Sequence, residues 1–209
     1  MSTIHTIALA VLLLSAGTGV MAQDPALPLP PQTAPILQDL VATQAFQQRV
    51  AEYVTLHQLL EGPLPPLFPT RDMSQIHVTR RALASRIQTA RAHANPGDII
   101  TADVITADVA RMFRRRIATC LTPEAWAAIL AERDTDEQGQ PAPPVLALHV
   151  NMEWPAQVAF DFVPPQLLLA LPPLPPELQY RIIGRALVLW DHHANLIVDI
   201  LPAAFASSS

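Results

Sequence analysis

The sequence predicts an α+β fold: an N-terminal helical portion of about four helices, then a C-terminal three-stranded antiparallel β-meander. Three observations carry that class. Apolar residues recur at spacings of three and four through much of 36–133, the period of a helix with one buried face. The ending "LQYRIIGRALVLWDHHANLIVDIL" is rich in β-branched and aromatic residues and is broken only by two turn signals. Pro-rich runs ("DPALPLPPQTAP", "PLPPLFP", "PPLPP") separate the periodic segments, and proline cannot continue either a helix or a central strand.

The chain opens with a short polar start, an apolar run over 7–14 and small residues ending Val20-Met21-Ala22 before Gln23. That is the layout of a secretory signal peptide over 1–22, although its start lacks Lys and Arg. The apolar run is short for a membrane-spanning helix; the alternative is an uncleaved anchor. The expectation is an exported protein, periplasmic or extracellular, with no membrane span after cleavage. Residues 23–35 read as a Pro-rich linker.

A first helix is expected over 36–61, with Phe46, Val50, Tyr53, His57 and Leu60 as its apolar stripe and Gly62-Pro63 as its stop. A second is expected over 73–94, capped by Asp72 with Gln75 three residues on. Its inward residues would be Ile76, Leu83, Ile87, Ala90 and Ala94, and Asn95-Pro96-Gly97 stops it. The tandem duplication "ITADVITADV" (100–109) offers two N-caps, Thr101 and Thr106, for a third helix reaching about Cys120. Its inward set is Ile105, Val109, Met112, Phe113 and Ile117. Thr122-Pro123-Glu124 combines a cap, a first-turn proline and an acidic residue near the positive helix end, and so starts a fourth helix. The helical region thus spans 36–133.

A polar, Pro-rich loop (134–144) leads into a β-rich region over 145–205. Within it "VLALHV" (145–150) reads as a short strand, and Pro164-Pro165 opens a brief helix through Leu171. Strands follow at 178–183, 186–191 and 196–201. Gly184-Arg185 suits a type II′ turn with glycine first, and 192–195 makes a four-residue turn. Pairing outward from these turns sets Ile182 opposite Leu187, Tyr180 opposite Leu189, Leu189 opposite Val198 and Leu187 opposite Ile200, all on one face. On the other face Arg181, Val188 and Asp199 form a row whose end charges could meet as an exposed pair.

Composition bounds the function. After cleavage at Ala22, 187 residues remain, half of the full chain is apolar, and a single thiol, Cys120, excludes an intrachain disulfide. All thirteen basic residues are Arg, and the net charge of −5 hides an asymmetry. Residues 71–120 carry nine Arg against four Asp, and 121–209 carry three Arg against ten acidic residues. Mutual attraction within one fold explains this better than nucleic-acid binding, because no aromatic residues are interleaved for base stacking. The mature chain has four glycines and no phosphate-cradling loop, HExxH or CxxC. Its only serines outside 207–209 are Ser74 and Ser85, both expected on the second helix rather than at a nucleophile elbow. No catalytic or organic-cofactor residues are assigned.

"EYVTLHQLLEGPLPPL", "GDIIT" with "MFRRRIA", and above all "LLLALPPLPPELQYRIIGRALVLWDHHANLIVDILP" resemble a family of uncharacterised exported bacterial proteins of acidobacteria and proteobacteria. The resemblance implies the architecture and location given above and transfers no catalytic residue; the duplicated ITADV is atypical for it. The pattern YRIIG-x-x-LVL-x-D-x-x-x-NLIVDI is also similar to the C-terminal hairpin of small periplasmic nickel/cobalt homeostasis regulators.

Asp191, His192 and His193 are the candidate metal ligands, for zinc, nickel or copper, since imidazole and carboxylate suit these ions. Neighbours on a strand point to opposite faces, so a shared ion requires the turn to rotate both histidines together; His149, Glu153 and Asp161 are the further candidates. The competing reading makes Asp191 and Asn195 partners of turn amides. His57, on the first apolar stripe, reads as a satisfied core or boundary histidine before a ligand or base. Cys120 reads as a packed thiol, with Arg116 four residues earlier as a possible source of positive charge. The leading expectation is an exported, non-catalytic binding or envelope-associated protein whose partner is an envelope protein or small ligand. The alternatives are a periplasmic metal-binding protein using the 191–193 turn, and a hydrolase with convergent carboxylates among Glu153, Asp161 and Asp191.

Overall fold

A computed structural model describes residues 33–65, 72–94, 103–122, 124–126, 148–154 and 163–205. Residues 1–22, where a signal peptide is expected, most of the expected linker at 23–35, the loop expected at 134–144 and Asp161 lie outside the described residues. Helix α1 runs Thr33–Glu61, α2 Met73–His93, α3 Ala107–Cys120 and α4 Pro165–Ala170; strands β1 Leu178–Ile183, β2 Ala186–Asp191 and β3 Leu196–Leu201 follow. The architecture is α+β with a β1-β2-β3 antiparallel meander. Among the described residues no helix is long and apolar enough to cross a membrane.

Local signals account for the helix ends. Gly62 closes α1 by donating to the Gln58 carbonyl. The Asp72 carboxylate accepts from the amides of Ser74 and Gln75, satisfying two of the four orphan donors of α2. Thr106 caps α3 by accepting from Val109, so the second ITADV copy starts the helix; Thr101 lies outside the described residues. Thr122 accepts from the Ala125 amide at the start of a further helical turn over 124–126. Pro165 opens α4, where a missing N–H costs nothing.

On α1, Phe46, Val50, Tyr53 and His57 are buried as the stripe requires, and Leu60 packs at its margin. The buried face of α2 is rotated from expectation. Leu83, Ala84, Ile87 and Arg91 are buried, while Ile76, Ala90 and Ala94 are half-buried. Arg91 takes an inward position because its guanidinium reaches the Val198 carbonyl at 3.2 Å and lies 5.9 Å from the centre of the Tyr53 ring. The expected set on α3 is buried in full, with Ala110 added.

The helices cover one face of the meander. Leu178, Tyr180, Ile182, Leu187, Leu189, Leu196, Val198 and Leu201 join the inward residues of α1, α2 and α3 in one core. Phe113 links the layers, edge-on to Phe46 at 5.1 Å and to Tyr180 at 6.1 Å. The opposite face is covered too: Ile183, Val188, Trp190 and Ile197 pack with Trp154. The strand expected at 145–150 is not found at 148–150, which is coil entering a turn. Residues 151–154 instead bond to the outer edge of β3 through Asn151, Met152 and Trp154, pairing an edge that would otherwise expose its amides.

The first hairpin has the expected register, with Ile182 opposite Leu187 and Tyr180 opposite Leu189, and Gly184 takes φ 55° as the first turn residue. The second departs from it. Trp190 pairs with Ile197 but Leu189 pairs with Asp199, leaving Val198 as the extra residue of a β-bulge. The bulge turns Leu201, rather than Ile200, toward the helices, and Ile200 joins the outer cluster. Asp199 is correspondingly buried, not surface-paired with Arg181. Its carboxylate accepts from the amides of Ile105 (2.7 Å) and Ile200 (2.7 Å), tying β3 to the entry of α3. Arg181 lies over the Trp190 ring at 5.0 Å.

Candidate functional site

Tyr53, His57 and Glu61 follow one another at intervals of four along α1, so their side chains stack along a single ridge. The ridge is apolar toward its N-terminal end and polar toward Gly62. It meets the end of β2 at Asp191, whose carboxylate is wholly buried yet fully engaged. Its Oδ1 accepts from the Ala194 amide at 2.8 Å, closing the turn. Its Oδ2 accepts from Tyr53 Oη at 2.8 Å and faces His57 Nδ1 at 2.6 Å. Three donors compensate the desolvation of that carboxylate, which unpaired would cost several kcal/mol.

With His57 Nδ1 donating to Asp191, the other ring nitrogen is directed at Glu61: Nε2 lies 3.2 Å from Glu61 Oε2. The second oxygen of Glu61 lies 3.5 Å from His193 Nδ1. One carboxylate therefore faces two imidazoles, whose ring centres are 5.5 Å apart. One ligand atom from each of His57, Glu61 and His193 can be chosen so that all three lie within 4.8 Å of one another. His57 is fully buried, whereas Glu61 and His193 are 44% and 41% exposed, so the cluster is rooted in the core and open at its rim. Burial alone would push the His57 imidazole down, but the hydrogen bond and charge of Asp191, with Glu61 behind them, outweigh it and hold its pKa above the ordinary value. Burial, reinforced by Asp191, pushes the Tyr53 phenol far up, so Tyr53 is a fixed donor.

Of the three ligands expected at the turn, the structure brings only His193 to this cluster. Asp191 stands behind His57, with both oxygens occupied. His192 points away, its Nε2 2.6 Å from the Pro176 carbonyl and its ring edge-on to His193 at 4.6 Å. Glu153 and His149 are exposed, and the backbone of Glu153 bridges to Leu196. Asn195 takes a left-handed φ of 56° and reaches the Trp154 carbonyl. Cys120 donates to the Arg116 carbonyl, while the Arg116 guanidinium turns to Thr43 and Ala170.

Sequence reasoning left His57 in the core and passed over Glu61 and Glu177. A signal was present for the first two: His57 and Glu61 are an i,i+4 pair. No local pattern marks Glu177, which lies just before β1. Its Oε1 accepts from Gln58 Nε2 at 2.9 Å, its carbonyl accepts from the His192 amide at 3.1 Å, and its Oε2 is buried without a hydrogen-bond partner. Burial alone would raise its carboxyl, but the Gln58 bond, its own backbone amide and then the charges of His57 and His193 hold it below the usual range. No protein-family model, curated protein or solved structure matches the chain.

Proposed function

We propose that the protein is an exported, non-catalytic binding protein whose ligand is a divalent transition-metal ion held by His57 Nε2, Glu61 and His193 Nδ1. One observation carries this reading: the two oxygens of Glu61 lie 3.2 and 3.5 Å from two imidazole nitrogens of separate elements. A four-coordinate ion with bonds of about 2.0–2.1 Å needs neighbouring ligand atoms about 3.3 Å apart; one atom from each of the three residues can be chosen with every separation within 4.8 Å, so the side chains must close somewhat on the ion. Nitrogen and oxygen donors in this ratio suit zinc, nickel or copper rather than calcium or magnesium.

The residues behind the cluster support the same reading. A ligating histidine commonly donates its other N–H to a carboxylate, which fixes tautomer and ring orientation. Asp191 has that relation to His57, with Tyr53 and Ala194 fixing Asp191 in turn. The leader pattern of 1–22 supports export. The hydrolase reading has less support, because Asp191 is buried and spent on three hydrogen bonds and Glu153 stands exposed elsewhere.

The test is titration of the metal-free protein with Zn²⁺, Ni²⁺ and Cu²⁺ against a chromophoric chelator. One equivalent should bind, weakened at least roughly tenfold in His193→Ala and in Glu61→Ala, and unchanged in His192→Ala. Absence of binding, or equal affinity in His193→Ala, overturns the proposal.

A further inference from the structure

We infer that the fourth position on the metal takes a neutral hydrogen-bond donor, water in the resting protein, held by Glu177, and that the same carboxylate turns anionic ligands away. This rests on the metal site proposed above. Buried polar atoms in folded proteins are almost always paired, and an exception marks an ion, a water or a functional group. Glu177 is about nine-tenths buried, and its Oε2 is such an exception among the described residues.

Its surroundings identify what the oxygen serves. Glu177 is tethered to both elements that supply ligands: its Oε1 to Gln58, the residue after His57, and its carbonyl to His192, the residue before His193. Both histidines act on its carboxylate electrostatically. It falls outside the group of ligand atoms that can share an ion directly, so its place is beyond the first coordination sphere. There, a carboxylate oxygen with a free lone pair accepts a hydrogen bond from a metal-bound donor, which keeps its proton. Charge agrees, since Glu61, Glu177 and the Asp191 carboxylate behind His57 already outweigh a divalent ion, so a neutral fourth ligand fits better than an anion. An anion in the fourth position would face the Glu177 charge inside a partly desolvated site, where like charges repel strongly.

Cobalt(II) reports on both effects, because its visible spectrum responds to the ligand in the open position. Glu177→Gln keeps the shape and the bond to Gln58 while removing the negative charge. In the Co²⁺-loaded protein the variant should hold metal about ten- to a hundredfold more weakly and bind azide several-fold more tightly than the parent. A merely structural role for Glu177 would not tighten azide. Circular dichroism and the denaturation midpoint of the metal-free variant exclude misfolding as the cause; if Glu177→Gln misfolds, Gln58→Ala, which keeps the charge but frees the carboxylate from its tether, should show a smaller loss of metal and a smaller gain of azide. Unchanged azide affinity in a folded variant overturns this inference and leaves the metal site standing. Failure of the parent to bind Co²⁺, Zn²⁺, Ni²⁺ or Cu²⁺ overturns both.

Discussion

Tyr53 shows how much a single atom contributes at this site. Its ring belongs to the apolar stripe of α1, and its hydroxyl is one of three donors to the buried Asp191 carboxylate. Tyr53→Phe keeps the ring and removes one donor, so it should lower stability by about 1–3 kcal/mol, read as a shift of the urea midpoint at constant slope. It should also weaken metal binding, because Asp191 would hold the His57 ring less firmly. A variant as stable as the parent would mean that water replaces the hydroxyl. His192 and His193 make a second contrast at this scale. They are adjacent and chemically alike, yet one bonds a backbone carbonyl and the other faces Glu61. Their sequence announces metal chemistry equally for both. The turn decides between them.

At the scale of elements, the second hairpin departs from simple alternation. Perfect register would put Ile200 inward opposite Leu187; the bulge at Val198 puts Leu201 there, 2% exposed, and leaves Ile200 half-buried on the far face. Leu201→Ala should therefore cost about 2–5 kcal/mol, and Ile200→Ala clearly less, measured by equilibrium denaturation. The reverse order would restore the unbulged register. All three strands were legible to the residue, because alternation and turn chemistry are local. The bulge was not, because its cause lies elsewhere: the Ile105 amide, 94 positions earlier, requires an acceptor that Asp199 supplies. The rotated face of α2 has a similar origin, in Arg91 reaching β3. A charged residue on an inward position reads as a surface residue until its acceptor is known.

Across the molecule's described residues, the Arg side chains of the basic middle bond chiefly to backbone carbonyls. Arg49, Arg86, Arg91 and Arg114 donate to backbone carbonyls of distant segments, and Arg115 pairs with Asp39. The Arg-rich middle thus fastens helices to each other and to the sheet. The His57–Asp191 contact spans 134 positions, so its protonation bears on global stability. The His57 pKa is raised in the folded protein. The stabilisation from charged imidazole is then fully present below the unfolded value of about 6.5 and is lost as pH rises through the raised folded value. The metal-free protein should accordingly lose stability over that window, measured as a falling denaturant midpoint, and His57→Gln should flatten the profile. A flat profile in the parent would mean that the imidazole stays neutral. With metal bound the sign reverses at the site, since Nε2 must be unprotonated to ligate, and acid should release the ion.

By itself the sequence determined the three long helices to within a few residues of their ends and the meander with its strand bounds, since these follow from periodicity, caps and turns that act over a few residues. It also determined that α1 would bury a face carrying Tyr53 and His57 and that a polar turn would hold Asp191, His192 and His193. Only the tertiary structure decided which of these meet. It set His57 and Glu61 against His193, put Asp191 behind the site as support, turned His192 aside and brought in Glu177 from before β1. The physical reason is distance along the chain. A site assembled from a helix at 53–61 and a hairpin at 177–193 depends on how two amphipathic faces pack, and no local pattern encodes that docking.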